Sequence, residues 1–264
     1  MKRVTGNKGI ITGMLSVLVF FSACTGGKSL KVYDLRCEYL TNPLGIDVVT
    51  PRFSWKLHDA THTRGQGQTA YHILVATTPG KLKSGEADVW DSGIISTEQS
   101  QLVSYGGPPL RSGTDYFWKV RVYDVFNQLS GWSEPARFSM GLLNRADWKG
   151  KWIKHPSAAP EKHVWFRKKI SLSEPVETAF VYIASVGYHE LYVNGRKADS
   201  RVLAPAVSRI DQRIWYVTYD IAPLLRKGDN VIAVWYAAGW SRNNFFAPLV
   251  EQALLVQMEG KTKK

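Results

Sequence analysis

The chain has 264 residues, of which 44% are apolar and 21% charged. That suits about two domains and is too apolar for a chain disordered over most of its length. The formal net charge is +12, yet Lys and Arg are spread along the sequence and no basic stripe interleaves with a nucleic-acid motif, so no nucleic-acid partner is expected. The 10 Trp, 12 Tyr and 10 Phe suit either sandwich cores or surfaces that stack on sugars, and composition alone does not separate the two.

Residues 1–24 read as a signal peptide. Lys2, Arg3 and Lys8 precede an apolar run from Ile10 to Phe21, 12 residues, too short for a bilayer span of about 20 residues. The run ends in Phe21-Ser22-Ala23-Cys24, and small residues before a Cys resemble a bacterial lipobox. The expectation is therefore lipidation at Cys24, with an exported chain held to the cell envelope by its lipid. The alternative is an ordinary secretory signal with Cys24 incidental. After processing Cys37 is the one other cysteine, which allows neither an internal disulfide nor a thiolate metal site, so the cores must carry the stability.

Beyond residue 30, short runs rich in Val, Ile, Tyr, Phe and Trp alternate with Gly, Pro, Asn and Asp, and no amphipathic helix stands out. That pattern predicts an all-β chain. A first module is placed at 31–141, a linker at 142–160 and a second module at 161–264. In the first, Phe53–Leu57 and Tyr71–Ala76 read as strands. The stretch from Leu110 to Tyr116 resembles the tyrosine corner of fibronectin type III domains. On the strand Tyr116–Asp124, alternation points Tyr116, Trp118, Val120 and Val122 at the core. Gly131-Trp132-Ser133 with Pro135 and Phe138 fits a closing strand. In the second module, strands are expected at Val164–Leu172, Ala179–Ser185, His189–Val193, Arg213–Tyr219, Asn230–Ala237 and Gln252–Glu259. Asn194-Gly195 marks a tight hairpin. This suggests a galactose-binding-like jelly-roll sandwich, expected to be short of its last strands.

Three groups of residues carry a family resemblance. The first runs from Gly187 through Tyr188-His189-Glu190-Leu191-Tyr192-Val193 to Asn194-Gly195 and on through Val202-Leu203-Ala204-Pro205. The second runs from Tyr219-Asp220-Ile221 through Gly228-Asp229-Asn230 to Gly239-Trp240. Upstream stand Leu35-Arg36-Cys37-Glu38, Asn42-Pro43-Leu44-Gly45-Ile46-Asp47, Pro51-Arg52-Phe53-Ser54-Trp55 and the junction Trp148-Lys149-Gly150-Lys151-Trp152-Ile153. Together, over residues 31–260, they resemble the N-terminal region of bacterial α-L-rhamnosidases, a fibronectin-like segment followed by a jelly roll. The resemblance implies that catalysis belongs to a separate helical barrel whose paired carboxylates act on terminal rhamnose, and that barrel is not encoded in these residues.

Within the chain itself, inverting glycoside hydrolysis would need two carboxyls about 6.5–9.5 Å apart, one protonated and one not. The spacing of Glu190, Asp199, Asp211, Asp220, Asp229 and Glu251 pairs no two of them, and Asp220 and Asp229 fit turn roles. No catalytic residue is assigned. The six histidines are scattered and no metal or cofactor is expected. Sugar contact is the site reading retained, at Tyr188, His189, Trp240, Arg242, Asn243 and Asn244, where aromatic faces and planar polar groups gather in loops. The rival reading has Trp240 plugging the sandwich end and the asparagines making turns. Three functions follow in order: the non-catalytic N-terminal part of an exported α-L-rhamnosidase, with a rhamnose-containing glycan as its ligand; a free-standing membrane-anchored carbohydrate-binding module; and a structural or adhesive sandwich pair.

Overall fold

The computed structural model describes residues 30–156, 163–242 and 252–263. The lipidation expectation at Cys24, the rest of residues 1–24, and Asn243 and Asn244 lie outside the described residues.

The first sandwich has seven strands. β1 (Lys31–Cys37), β2 (Arg52–His58), β3 (Gln68–Ala76), β4 (Trp90–Ser96), β5 (Val103–Ser104), β6 (Asp115–Asp124) and β7 (Ala136–Ser139) form two antiparallel sheets, ordered β1-β2-β5 and β4-β3-β6-β7. The alternation read from β6 holds, with Tyr116, Trp118, Val120 and Val122 all buried. The Phe53 ring packs 4.3 Å from that of Trp118, and Trp55 donates its indole N–H to buried Gln68 at 2.9 Å. Each such buried side chain stabilises the fold by roughly 1.5–3 kcal/mol. The tyrosine corner forms, because the Arg111 N–H donates to Tyr116 Oη at 2.9 Å. The closing strand begins later than expected. Gly131-Trp132-Ser133 lies outside β7, and this segment flanks β6 through hydroxyls, with Ser130 Oγ accepting from Val122 N–H and Ser133 Oγ from Val120 N–H. Trp132 covers Lys119 and Arg121, which explains why Lys119 is buried although its alternation points outward. One short helix, α1 (Pro79–Ser84), had gone unread; Thr78 caps its start, Pro79 opens it and Gly85 ends it.

Among the described residues the second sandwich has eight strands, β8 (Trp152–Ile153), β9 (Val164–Leu172), β10 (Val176–Ser185), β11 (Tyr188–Val193), β12 (Arg196–Lys197), β13 (Tyr216–Asp220), β14 (Gly228–Ala237) and β15 (Leu254–Thr262). They form the antiparallel sheets β13-β10-β15-β8 and β12-β11-β14-β9. Asn194 at φ 52° and Gly195 at φ 80° make the expected two-residue turn between β11 and β12. The expected shortfall of strands is not seen among the described residues. β15 pairs with β10 from Leu254 to Thr262, and both sheets contribute to one core built from Val181, Ile183, Leu191, Val234 and Leu254. Buried Asn230 ties the Arg226–Asp229 turn together, accepting from Arg226 N–H and donating to the carbonyls of Arg226 and Gly228. Its side chain also accepts from Asn194 Nδ2, so the two most conspicuous turn motifs brace each other.

The segment 142–156 is packed rather than a free linker. Leu142 N–H donates to Tyr216 Oη at 2.9 Å, and Trp148 lies edge-on to Tyr216 and Tyr182. Gln257 Oε1 accepts from the N–H groups of Lys149 and Gly150, and β8 adds to the edge of β15. Two glycines let the sandwiches close on each other. A Cβ at Gly45 would fall 2.1 Å from Thr218 Oγ1, and one at Gly141 would fall 2.0 Å from Tyr216 Oη.

Candidate functional site

Of the residues chosen for sugar contact, the described ones, Tyr188, His189, Trp240 and Arg242, fall at one end of the second sandwich, but they do not act together. His189, inward-facing on β11, is 2% exposed. Its Nδ1 lies 2.8 Å from Ser185 Oγ and its Nε2 3.0 Å from Tyr219 Oη, so both ring nitrogens are engaged inside the core. Burial, helped by the positive charge of Arg201, pushes its pKa down to about 3, and the ring stays neutral near pH 7. His189 is therefore withdrawn as a sugar contact; the alternation that turns Leu191 and Val193 inward turns His189 inward with them. Tyr188, its outward neighbour, is half-buried against the backbone of Gly239. Trp240 packs with Val186, Ile210 and Ile214, as the plug reading anticipated, and its Nε1 has no hydrogen-bond partner among the described residues. Arg242 is exposed beside it. The described part of the cluster thus offers one tyrosine, one partly buried indole and one guanidinium.

A cleft of about 950 Å³ runs between the two sandwiches, within the size range of ligand sites at domain interfaces. Four acids line it, Asp88, Asp115, Glu177 and Asp220, and the surroundings of Asp115 and Asp220 decide what that facing pair can do. Asp115 on β6 and Asp220 at the end of β13 both face Arg137 on β7. Arg137 donates to both oxygens of Asp115, at 2.9 and 3.0 Å, and to Asp220 at 3.0 Å. Burial raises the Asp115 carboxyl, against the pull of Arg137, while the two partners hold Arg137 firmly charged. A guanidinium forked onto one acid and bonded to the other takes up the carboxylate oxygens that a general acid or base would need free. The trio is a charged clasp between domains, with Asp115 and Arg137 from the first and Asp220 from the second.

The other conspicuous acids are also engaged. Glu190 accepts from Lys197 at 2.6 Å and from Tyr192 Oη at 2.8 Å, and Asp229 pairs with Lys169 at 2.6 Å. No group of three or more His, Cys, Asp or Glu gathers as a metal site among the described residues. Cys37 is buried in the first core, and burial pushes its thiol well up, which makes it a poor nucleophile.

Sequence reasoning missed an aromatic cluster on the outer face of the sheet β12-β11-β14-β9. Trp165 stacks on Trp235 with ring centroids 5.8 Å apart, Tyr192 meets Trp165 at 5.2 Å, and His163 meets Trp235 at 5.5 Å. The signal was present in β9, where Trp165 and Arg167 alternate with the core residues Phe166 and Ile170.

Comparison with known proteins agrees with this architecture. Residues 32–144 match the family described as Rha78A-like, N-terminal immunoglobulin domain, and residues 174–254 match the α-L-rhamnosidase N-terminal domain. An α-L-rhamnosidase of Formosa agariphila is 37% identical over 89% of this chain, which covers 27% of that relative. The solved α-L-rhamnosidase from Dictyoglumus thermophilum superposes with a TM-score of 0.80 at 34% identity, over 88% of this chain and 28% of its own. That of Aspergillus terreus gives a TM-score of 0.72 at 25% identity, over 88% and 27%. The chain spans about a quarter of the length of these relatives. It belongs to the α-L-rhamnosidase family and corresponds to that family's N-terminal immunoglobulin-like and β-sandwich domains.

Proposed function

We propose that this chain is the non-catalytic N-terminal part of an exported α-L-rhamnosidase, which in its full form hydrolyses terminal α-L-rhamnose from glycans. The observation that carries the reading is the Asp115–Arg137–Asp220 clasp. Of the acids that line the interdomain cleft, Asp115 and Asp220 are committed to holding the two domains together, and neither is free to donate or take a proton at a glycosidic bond. The names of the matched relatives supply the activity of the longer protein. Export and lipid anchoring at Cys24 belong to the same reading and rest on the N-terminal sequence.

The test is phenol release from an aryl α-L-rhamnoside by the purified chain. No turnover above background is expected. Turnover that disappears in Asp115→Asn or Asp220→Asn would place the chemistry inside this chain and overturn the reading. Incorporation of labelled palmitate, lost in Cys24→Ala, is the corresponding expectation for the anchor, and unaltered labelling of that variant would remove Cys24 from it.

A further inference from the structure

The outer face of the sheet β12-β11-β14-β9 is laid out in cross-strand rows. Glu190, Trp235 and Trp165 are successive partners in one row, and Lys197, Tyr192, Ala233 and Arg167 in the next. Trp165 is 55% exposed. Its ring lies within 9° of parallel to Trp235. Ala233, with only a methyl group, lets the indole reach Tyr192 across β14. The core does not need these rings, because Phe166, Val234 and Tyr236 on the same strands fill it from the other face. Exposed Trp165 with partly buried Trp235 and Tyr192, on strands whose inner faces already close the core, forms an aromatic strip at the surface that a ligand can reach.

The polar groups around the strip narrow the ligand. Glu190 is held in place by Lys197 and Tyr192, and Lys169 is neutralised by Asp229. Arg167 has no hydrogen bond or ion pair among the described residues, so its five donors are free on the same face. With Glu190 paired to Lys197 and Lys169 to Asp229, Arg167 is the one uncompensated charge of this group. A ligand with apolar faces and hydroxyl edges suits both the rings and the planar donors and acceptors beside them. Sugar rings have that character: their C–H faces lie on aromatic surface, and their hydroxyls bond to carboxylate and guanidinium.

We propose that the Trp165–Trp235–Tyr192 strip, with Glu190 and Arg167 at its borders, is a binding site for a saccharide. It is distinct from the loop cluster around Tyr188 and Trp240. A deoxy sugar, whose methyl group extends the apolar face, is the best fit, and that choice among saccharides rests on the proposed rhamnosidase function. The strip itself does not.

The experiment is a titration of the purified chain, followed by tryptophan fluorescence and calorimetry, with two probes, a rhamnose-terminated oligosaccharide and a glucose oligomer. Saturable binding of at least one probe at millimolar concentration is expected. Affinity should weaken about tenfold in Trp165→Ala, the equivalent of one aromatic contact, and fall again in Arg167→Ala. Both positions are exposed, so unchanged thermal midpoints would show that the variants fold. Binding of the glucose oligomer alone upholds the strip while counting against the choice of deoxy sugar, and the turnover assay judges the rhamnosidase reading separately. No saturable response to either probe overturns the proposal, as does full affinity in Trp165→Ala. Concentration-dependent dimerisation abolished by Trp165→Ala, without saccharide binding, would instead make this face an interface between copies and equally overturn it.

Discussion

Trp55 and Trp118 of the first sandwich are 2% and 0% exposed, packed against Tyr71 and Phe53, whereas Trp152, Trp165 and Trp215 of the second are 46%, 55% and 41% exposed. Both bodies are two-sheet sandwiches with alternating strands, so the difference lies in which phase of the alternation carries the large ring. On β6 the rings share a phase with Val120 and Val122 and go inward. On β9 and β14 the inward phase is taken by Phe166, Ile170, Val234 and Tyr236, and Trp165 and Trp235 fall on the other. The aromatic richness of the chain therefore has two meanings, a core in one domain and a surface in the other.

Substitutions can break this comparison. Trp118→Ala should be the most damaging, costing about 3–5 kcal/mol through the cavity it leaves, measured by equilibrium unfolding in urea. A cost near that of a surface change would mean that the first core is looser than described.

Acid comes next and should act on the second sandwich. His189 is neutral and buried, with a folded pKa of about 3 against the ordinary histidine value of 6.5. Below pH 6.5 the unfolded chain binds a proton that the folded chain refuses, so stability falls as pH drops from 6.5 toward 3. The loss should reach about 2–4 kcal/mol, and His189→Gln should flatten it. Asp115, whose carboxyl is raised by burial, contributes with the opposite sign in the first sandwich: its share is present at low pH and is lost as pH rises through its folded pKa. Thermal midpoints across pH, compared between wild type and His189→Gln, separate the two; an unflattened profile would rule out His189 as the source.

A smaller effect is expected at the clasp. Arg137→Ala leaves Asp115 and Asp220 facing each other without a cation. A fully buried pair would cost about 3–5 kcal/mol, and with the Arg137 side chain 28% exposed about 1–3 kcal/mol is expected. The two sandwiches, which should melt as one unit in the native chain, should then separate into two calorimetric transitions. A single unchanged transition would show that the glycine contacts alone hold the joint. Trp165→Ala should change stability by no more than about 0.5 kcal/mol, and a loss comparable to Trp118→Ala would erase the contrast between the domains.

Much of the architecture was legible. Alternation placed Tyr116 to Val122 correctly, Asn194-Gly195 placed the hairpin, and the resemblance supplied the order of the domains. What periodicity could not reveal is why the motif residues stand where they do. Asn42-Pro43-Leu44-Gly45 carries part of the family resemblance, and local pattern gives no hint that Gly45 is the point where Thr218 of the other domain presses in. Arg52, another residue of the resemblance, forks onto Glu38, at 3.0 and 2.6 Å, and pins the end of β1 to β2. Local pattern does not show a long-range contact, and for the same reason 142–156 read as a linker although Gln257 and Tyr216 hold it. The loop cluster chosen for sugar contact failed at His189 because the polarity of its side chain outweighed its phase in β11. The aromatic strip was missed because its members come from β9, β11 and β14, which become neighbours only when the sheet forms.

One measurement bears directly on the whole account: incubation of the purified chain with a rhamnose-terminated aryl oligosaccharide, following tryptophan fluorescence and phenol release in the same cuvette. A saturable fluorescence change without phenol release is the expected result, since Trp165 is exposed and Asp115 and Asp220 are clasped. Phenol release that is lost in Asp115→Asn or Asp220→Asn would contradict it.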